Sequence, residues 1–414
     1  MFIVSFPYSV LEGGYWALVS MVVVAWVCCY TGKILIDCLY EDDVVTEPRT
    51  DDDGRCSRGE RVQRRVRGSY VEIAAAVWGS TVGGRVVFLA QLIELLMTCI
   101  LYVLLCGELM VGVFPSSPLD LTAWILISGG VLLPCALLRS LRHVAWLSFW
   151  CTVAHMIVNG VIIVYCFTRV FDWHWRAVQL RVDIWTFPIS FGMVIFSYTS
   201  QIFLPSMEGN MDDRSHFDTM LDWTHLAAAV FKVLFSYIGF LTFGDNTQEV
   251  ITNNLPNQAL KTVVNLCLVA KALLSYPLPY FAAVELFEAA MFRGRPDTIL
   301  PSCYDPSPGG SLRWWAVVLR LTVVVLTILM AIFVPHFAIL MGLIGSFTGN
   351  MLSLVWPAYF HLRIKGTSVG VVRRAVDVFI VLFGLICSGI GIYYSAHALV
   401  WAYQGREPRP FQTP

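Results

Sequence analysis

Long apolar stretches separated by short polar segments set the pattern of this chain. Each stretch is near or above the ~20 residues that a helix needs to cross a bilayer, a length that favours membrane spans over buried strands. The pattern therefore predicts an all-α polytopic membrane protein. Ten spans are predicted, at 15–39, 85–113, 121–138, 144–168, 186–206, 223–244, 262–291, 314–334, 336–361 and 374–403.

A polar run interrupts the fifth of these spans. Its five consecutive hydrogen-bonding residues are Ser197, Tyr198, Thr199, Ser200 and Gln201, and Pro205 follows them. Backbone polar groups inside a membrane must be satisfied within the protein, and proline both lacks a donor and disfavours helix at the preceding residue. We therefore predict a helix broken near mid-membrane, with open carbonyls around the polar run. A discontinuous helix of this kind is typical of a transporter's substrate site.

The first thirteen residues have the pattern of a second half-helix that starts in mid-membrane, so we expect the first half of that helix to be missing. Residues 7–13 and 205–209 are faint echoes of each other, five spans apart. An odd number of spans between two breaks predicts an inverted repeat in which the two broken helices meet at the midplane. The predicted organisation is a transmembrane domain over 1–403 and a lumenal tail over 404–414.

Composition agrees with this prediction and excludes other classes of protein. The chain is 57% hydrophobic and 14% charged, with a mean hydropathy of +0.67, far from a soluble globular balance. Its twelve cysteines form no CxxC pair, so neither a metal site nor a disulfide framework is expected. A net charge of -1 gives no indication of nucleic acid. We find no motif of a hydrolase or nucleotide-binding enzyme, and therefore no catalytic residues.

The distribution of basic residues predicts the orientation. Loops on the side of 40–84 hold 17 Lys and Arg, against six on the opposite side. The positive-inside rule places the richer side in the cytosol and the carboxyl terminus in the lumen. Residues 41–68 are rich in both charges and predict a flexible cytosolic linker. Residues 69–78 predict a short amphipathic helix on the membrane surface.

Several runs of residues resemble a known family. They include FSYTSQIFLPSMEGNM at 196–211, CCYTGKIL at 28–35 and VAKALLSYPLP at 269–279, and further runs at 6–8, 13–15, 83–87, 94–102, 222–225, 249–256 and 334–342. In these runs the chain resembles the vesicular inhibitory amino acid transporters of the amino acid/auxin permease family.

The resemblance implies a LeuT-like fold, a 5+5 inverted repeat plus an eleventh helix. It also implies loading of GABA and glycine into synaptic vesicles in exchange for lumenal protons. The vesicular proton ATPase would supply the gradient, no cofactor other than protons would be needed, and chloride is a possible additional ion. The alternatives are a proton-coupled neutral amino acid symporter of the plasma or lysosomal membrane, and a receptor or scaffold that has lost transport.

A zwitterionic amino acid needs donors for its carboxylate and acceptors for its ammonium. The amides of Tyr8 and Ser9, at a helix start, are candidates for the carboxylate, and the open carbonyls near Tyr198 and Thr199 are candidates for the ammonium. Phe6 and Tyr198 would pack against the methylene stem. Hydroxyls that could serve either end belong to Ser5, Ser197, Thr199 and Ser200. Each hydroxyl has an alternative role in bonding its own helix or a neighbouring one.

Ionisable residues inside the spans are candidates for proton coupling, because a charge at the bilayer centre costs ~2.5 kcal/mol or more. Lys271, with Ser275 one helical turn later, could hold a cation position, form a fixed salt bridge with Glu94 or Glu12, or extend its charge to the membrane surface. Of the two carboxylates in its span, Glu94 is the better candidate for protonation, because Glu108 lies near the far-side end of the span. His155 could titrate, although a lone histidine in a span is more often a packing residue.

Two further basic residues, Lys232 and Arg320, lie nearer the predicted cytosolic halves of their spans. Long basic side chains in such positions commonly extend their charge to the membrane surface. We therefore expect both to reach the interface rather than the site.

Overall fold

The computed structural model of the protein describes residues 2–44, 61–79, 81–137, 142–175, 178, 180, 182–292, 314–334, 336–366 and 369–404. A two-stranded antiparallel hairpin, β1 (Tyr40–Val44) and β2 (Arg61–Arg65), accompanies a bundle of helices. The helices are α1 (Phe6–Asp37), α2 (Tyr70–Trp78), α3 (Gly83–Val113), α4 (Leu121–Leu132), α5 (Arg142–Thr168), α6 (Phe187–Ser197), α7 (Leu204–Gly209), α8 (Phe217–Phe243), α9 (Gln258–Ser275), α10 (Pro277–Phe292), α11 (Trp314–Phe333), α12 (Phe337–Ile344), α13 (Trp356–Ile364) and α14 (Val371–Tyr403).

The helices match the predicted spans. Within the described ranges, seven helical stretches are long and apolar enough to cross a membrane, and three shorter apolar helices lie at 121–136, 152–168 and 187–197. Large apolar side chains such as Trp26 and Phe379 face outward, as a lipid-facing surface requires. The all-α polytopic fold class is confirmed. The predicted tail at 404–414 lies outside the described residues, apart from Gln404.

A single glycine divides α1 into two helical pieces. Gly14 has a φ of 58° and a ψ of -146°, a conformation that glycine adopts without the penalty that a Cβ brings. The short piece before it begins after a 3₁₀ turn at Phe2–Ser5, and the long piece after it corresponds to the predicted span 15–39. The predicted boundary between the starting half-helix and the first full span is therefore present in the backbone.

The predicted break in the fifth span is also present. Helix α6 ends at Ser197 and α7 begins at Leu204, with turns and irregular backbone between them. Pro205 lies in the first turn of α7, where its missing donor costs nothing. Helix α1 packs along α6. This contact between elements five spans apart agrees with the predicted five-plus-five arrangement.

Glycines let α6 approach the α12 region backbone to backbone. A Cβ added at Gly192 would lie 2.1 Å from the Gly342 carbonyl oxygen, and one added at Gly345 would lie 1.9 Å from the Gly192 carbonyl oxygen. Small residues permit such close packing in membranes. Beyond α12 the chain forms two π-helical turns, at Gly345–Gly349 and Met351–Val355. The glycine contact holds the first of these turns beside α6.

The segment predicted to be a flexible linker is partly ordered, which corrects our expectation for 41–68. Its two ends pair as β1 and β2, with Tyr40 opposite Arg65, while 45–60 lie outside the described residues. The charge-rich composition concealed these strands because each pairs only with the other, and charged residues are poor strand formers without such a contact. Helix α2 begins where predicted: the Ser69 hydroxyl accepts from the Glu72 amide, and the Glu72 carboxylate accepts from the Gly68 amide, as in a capping box.

The glycine contact generates a stability prediction. Gly345→Ala adds one methyl group against the α6 backbone, and overpacking of this kind costs about 1–3 kcal/mol. We expect a lower melting temperature in detergent, measured by intrinsic fluorescence. Gly389→Ala is the matched control, because a Cβ there meets no atom within 4 Å. Equal melting temperatures for the two variants would contradict the proposed contact.

Candidate functional site

A cavity of about 1110 Å³ lies beside the broken helix. Its walls come from the start of α1, from α3, α5, α8 and the α9–α10 pair, from α11, and from the break itself. The polar and charged residues that line it are Glu94, Thr98, Tyr102, Thr152, His155, Asn159, Ser197, Thr199, Lys232, Lys271, Ser275, Glu285 and Arg320. We call this space the central cavity. Its position beside the α6–α7 break makes it the candidate functional site.

The central cavity brings together part of the predicted substrate set and all of the predicted coupling set. Phe6, Ser197 and Thr199 line it among the substrate candidates. The four coupling candidates that also line it are Lys271, Ser275, Glu94 and His155. They come from three separate helices, and their convergence on one space was not evident from their spacing in the sequence.

The remaining substrate candidates do not line the central cavity: Ser5, Tyr8, Ser9, Tyr198, Ser200 and Gln201. The Ser9 hydroxyl donates to the Phe6 carbonyl at 2.8 Å, which is the alternative role considered for such hydroxyls. The Gln201 side chain is fully buried and donates to the Cys28 carbonyl at 3.3 Å. Gln201 therefore ties the break to the long piece of α1.

Lys232 of α8 reaches the end of α6, which corrects the expectation that it extends to the membrane surface. Its Nζ lies 2.8 Å from the Ser197 carbonyl oxygen, 3.0 Å from the Ser197 hydroxyl and 3.3 Å from the centre of the Tyr198 ring. The carbonyl end of a helix and the face of an aromatic ring both favour a cation. A lysine ammonium thus occupies the place where we expected the ammonium of a substrate.

A signal for Lys232 was available in the sequence. His225, Ala229 and Ser236 are buried positions of α8, and Lys232 falls on the same face because they recur at helical spacing. A basic residue on the buried stripe of a span points to the bundle interior rather than to its surface.

Glu94 receives a hydrogen bond that sequence reasoning did not anticipate. The Thr348 hydroxyl donates to its carboxylate, and only 3% of Glu94 is exposed. Thr348 lies in the π-helical turn Gly345–Gly349, and such turns are frequent at functional sites. A π turn shifts the direction of side chains without a recognisable sequence pattern, so no signal in the sequence could have paired these residues.

Lys271 contacts α5. Its ammonium donates to the Thr152 hydroxyl, and His155 follows on the same wall with its Nε2 3.2 Å from the Asn159 amide. Sequence reasoning had left open a coupling role or a fixed salt bridge for Lys271. The structure places its charge in the cavity wall, near the candidates it was grouped with.

Arg320 is also buried, contrary to the expectation that it reaches the interface. Only 3% of it is exposed, and its guanidinium carbon lies 5.8 Å from the centre of the Phe281 ring. The described lining of the central cavity therefore holds three basic residues, Lys232, Lys271 and Arg320, and two acidic ones, Glu94 and Glu285. Charges of both signs around one space suit a solute that carries both.

A second cavity of about 960 Å³ adjoins the first. We call it the vestibule. It lies among α2, the start of α3, α7 and the end of α10, and its lining includes Pro205 and Ser206. The residues that line both spaces are Leu95, Ile202, Phe203, Ala282 and Glu285. The end of the segment between α6 and α7, together with α3 and α10, therefore forms the boundary between the vestibule and the central cavity.

Comparisons with known proteins place this chain in a transporter family. Residues 54–396 match the family described as "Transmembrane amino acid transporter protein". The chain is 48% identical to the human vesicular inhibitory amino acid transporter, over 98% of this chain and 74% of the relative. It is 44% identical to the vesicular GABA transporter of Caenorhabditis elegans, over 97% of this chain and 77% of the relative. Among solved structures, the inward-facing conformation of Mhp1 superposes with a TM-score of 0.46 at 13% identity, covering 98% of this chain and 90% of that one.

The Thr348–Glu94 contact can be tested without knowledge of the solute. Thr348→Val keeps the shape of the side chain and removes the donor, and an unsatisfied buried acceptor costs about 1–3 kcal/mol. We expect a lower melting temperature in detergent for Thr348→Val. In a protein that already carries Glu94→Gln, Thr348→Val should lower the melting temperature less than it does in the unmodified protein, because the two residues act as a pair.

The matched control for this pair is Thr322→Val, whose hydroxyl is exposed and bonds its own helix at the Val318 carbonyl. The pairing is refuted if Thr348→Val destabilises the protein no more than Thr322→Val does.

Proposed function

Because this chain belongs to the transmembrane amino acid transporter family, we propose that it loads GABA and glycine into vesicles in exchange for lumenal protons. The observation that carries the proposal is the central cavity at a broken helix, with basic and acidic side chains around one space. The names of the similar human and nematode proteins, vesicular inhibitory amino acid transporter and vesicular GABA transporter, support the substrate class.

The charges of the central cavity suit a zwitterion. Opposite charges attract strongly where little water is present, so a carboxylate would be held by the basic residues and an ammonium by Glu94 or Glu285. Ser197 and Thr199 add hydrogen-bonding groups at the break. Phe6 supplies an apolar surface for a short methylene stem. A neutral solute with charged ends thus meets partners at both ends and along its length.

Lys232 offers a way to couple substrate to protons. The Ser197 carbonyl that it occupies is also a suitable acceptor for the substrate's ammonium, so the two cations compete for one place. When substrate enters from the cytosol and takes this carbonyl, Lys232 is displaced and releases its proton to the cytosol. When a lumenal proton returns to Lys232, the ammonium regains the carbonyl and the substrate leaves to the lumen.

Glu94 gives the same direction of exchange. As a carboxylate it attracts the substrate's ammonium, and after protonation from an acidic lumen it loses that attraction. Release of its proton to the more alkaline cytosol restores the binding form. Both residues therefore couple uptake of a zwitterion to exit of a proton.

The driving force is sufficient for vesicle loading. One proton that moves down one pH unit supplies ~1.4 kcal/mol, and the single charge moved in the exchange adds ~2.3 kcal/mol per 100 mV. Together these terms support roughly a several-hundredfold concentration of the substrate. A vesicular proton ATPase is the partner that would maintain the gradient.

The orientation proposed from the basic residues places the β1–β2 hairpin in the cytosol and the carboxyl terminus in the lumen. The vestibule then opens toward the cytosol, because it is lined by α2 and the start of α3, which follow the hairpin. Solute would enter the vestibule first and reach the central cavity past the break.

Reconstitution into liposomes tests the proposed function directly. We expect accumulation of labelled GABA and glycine when the interior is acidic and positive, and its loss when a protonophore collapses the gradient. Alanine, a third small zwitterion, shows how strongly the protein selects among solutes of this class. Uptake driven by an acidic exterior instead would contradict exchange and favour a proton symporter.

Lys232→Ala tests the proposed coupling. We expect gradient-driven accumulation of GABA to fall at least tenfold, because no proton can then be exchanged for the substrate at the Ser197 carbonyl, while the protein keeps its elution profile. Lys261→Ala is the matched control, because Lys261 lies at the start of α9 and does not line the central cavity.

Lys271→Ala in the same assay shows whether the second lysine of the cavity contributes to coupling. We expect it also to abolish gradient-driven uptake, because it removes a positive charge from the cavity wall. Normal accumulation by either variant would exclude that lysine from the mechanism.

A further inference from the structure

The β1–β2 hairpin contacts the half-helix that follows the break. The guanidinium of Arg65, at the end of β2, donates from Nη2 to the Pro205 carbonyl at 2.9 Å, and its Nη1 lies 3.2 Å from Oε2 of Glu208. Pro205 and Glu208 both belong to α7. The hairpin therefore contacts α7 through a main-chain carbonyl and through a side-chain carboxylate.

Glu208 is the centre of this contact. Only 3% of it is exposed, and its other oxygen accepts from the Tyr40 hydroxyl at the start of β1 and lies 3.5 Å from Nε of Arg214. The Arg214 guanidinium also stacks over the Tyr40 ring, 3.3 Å from its centre. Removing one partner of a buried ion pair leaves an uncompensated charge. Both strands of the hairpin thus converge on one carboxylate of α7.

The Tyr40 phenol keeps its proton in this arrangement. Burial and the hydrogen bond to the Glu208 carboxylate raise its pKa above the usual range. Tyr40 therefore remains a donor to Glu208 at neutral pH.

Arg65 is held in place before it reaches α7. Its Nε donates to the Arg67 carbonyl at 3.1 Å, and its Nη2 also lies 3.3 Å from the Gly68 carbonyl. A planar guanidinium can serve these acceptors and α7 together, which a lysine ammonium cannot. On the other side, a Cβ at Gly209 would lie 2.4 Å from Nη1 of Arg65. A side chain at residue 209 would therefore force the guanidinium of Arg65 to shift from this position.

The position of α7 matters for the path between the two cavities. Ile202 and Phe203, immediately before α7, line both spaces, and Pro205 and Ser206 of α7 line the vestibule. Helix α7 is six residues long, too short to be stable without tertiary contacts. The contacts that hold α7 therefore also fix the backbone at the passage from the vestibule to the central cavity.

We propose that the β1–β2 hairpin is a latch in which Arg65 holds α7 through Pro205 and Glu208 and so sets the width of the passage into the central cavity. Arg65 is a positioning residue: it lies outside the central cavity and acts on solute movement through α7. The transport test of this proposal rests on the proposed function, whereas the hydrogen–deuterium exchange test needs no substrate.

Hydrogen–deuterium exchange on the full-length protein tests the latch first. In Arg65→Ala we expect the amides of α7 and of 202–203 to exchange at least fivefold faster, with α11 unchanged. The matched control is Arg64→Ala, because Arg64 is exposed and neighbouring residues of a strand point to opposite faces. Arg65→Lys should give an intermediate rate, since it keeps the charge but loses the fork of donors.

Transport then distinguishes a latch from a merely structural contact. In liposomes we expect Arg65→Ala to change the maximal rate of proton-driven GABA transport at least threefold. The half-saturation concentration for GABA should stay unchanged, because the lining of the central cavity is intact. In the double variant Arg65→Ala/Glu208→Gln, the increase in hydrogen–deuterium exchange of the α7 amides should differ from the sum of the increases in the two single variants, because the two residues are in contact.

Two results would overturn the latch. The first is an α7 exchange rate in Arg65→Ala equal to that in Arg64→Ala. The second is faster exchange throughout the protein, which would show general destabilisation. If the hydrogen–deuterium exchange result holds but no GABA transport is found in the unmodified protein, the proposed function fails while the hold of Arg65 on α7 stands.

Discussion

Peptide groups left open inside a membrane need partners from the protein, and the break between α6 and α7 is where this chain must supply them. Three side chains do so. Lys232 of α8 donates to the Ser197 carbonyl at the end of α6, the Gln201 side-chain oxygen accepts from the Ser200 amide, and Arg65 of the hairpin donates to the Pro205 carbonyl in α7. A single interruption thereby ties together elements from distant parts of the sequence.

The glycine contact of α6 also shapes the surroundings of the central cavity. Gly192 and Gly345 bring α6 against the first π turn, and that turn directs Thr348 to Glu94. The glycine contact thus positions the hydroxyl that donates to the buried Glu94 carboxylate, while Lys232 of α8 contacts the end of α6. A change at the glycines would therefore disturb the hydrogen bond of Glu94 as well as the stability of the fold.

The sequence was sufficient for the features that depend on local chemistry. The polar run and Pro205 predicted the break, and apolar length predicted the spans. The sequence was insufficient for the features that tertiary contacts determine. The partner of Glu94 depends on a π turn, the strands at 40–44 and 61–65 depend on contacts with α7, and Tyr198 turns toward Lys232 rather than into the central cavity. The expectation for Lys232 was wrong because depth in a span does not show which face of the helix is buried, and Lys232 lies on the buried face of α8.

The occupation of the Ser197 carbonyl by Lys232 has a consequence for selectivity. A cation that approaches the end of α6 meets an ammonium that already lies 2.8 Å from that oxygen, and like charges repel most where little water screens them. Under the proposed function, lysine, arginine and polyamines would bring an additional positive charge to this contact, whereas a solute whose charges cancel would not. The group that competes with the ammonium of a zwitterion would thus also act as a filter against basic metabolites.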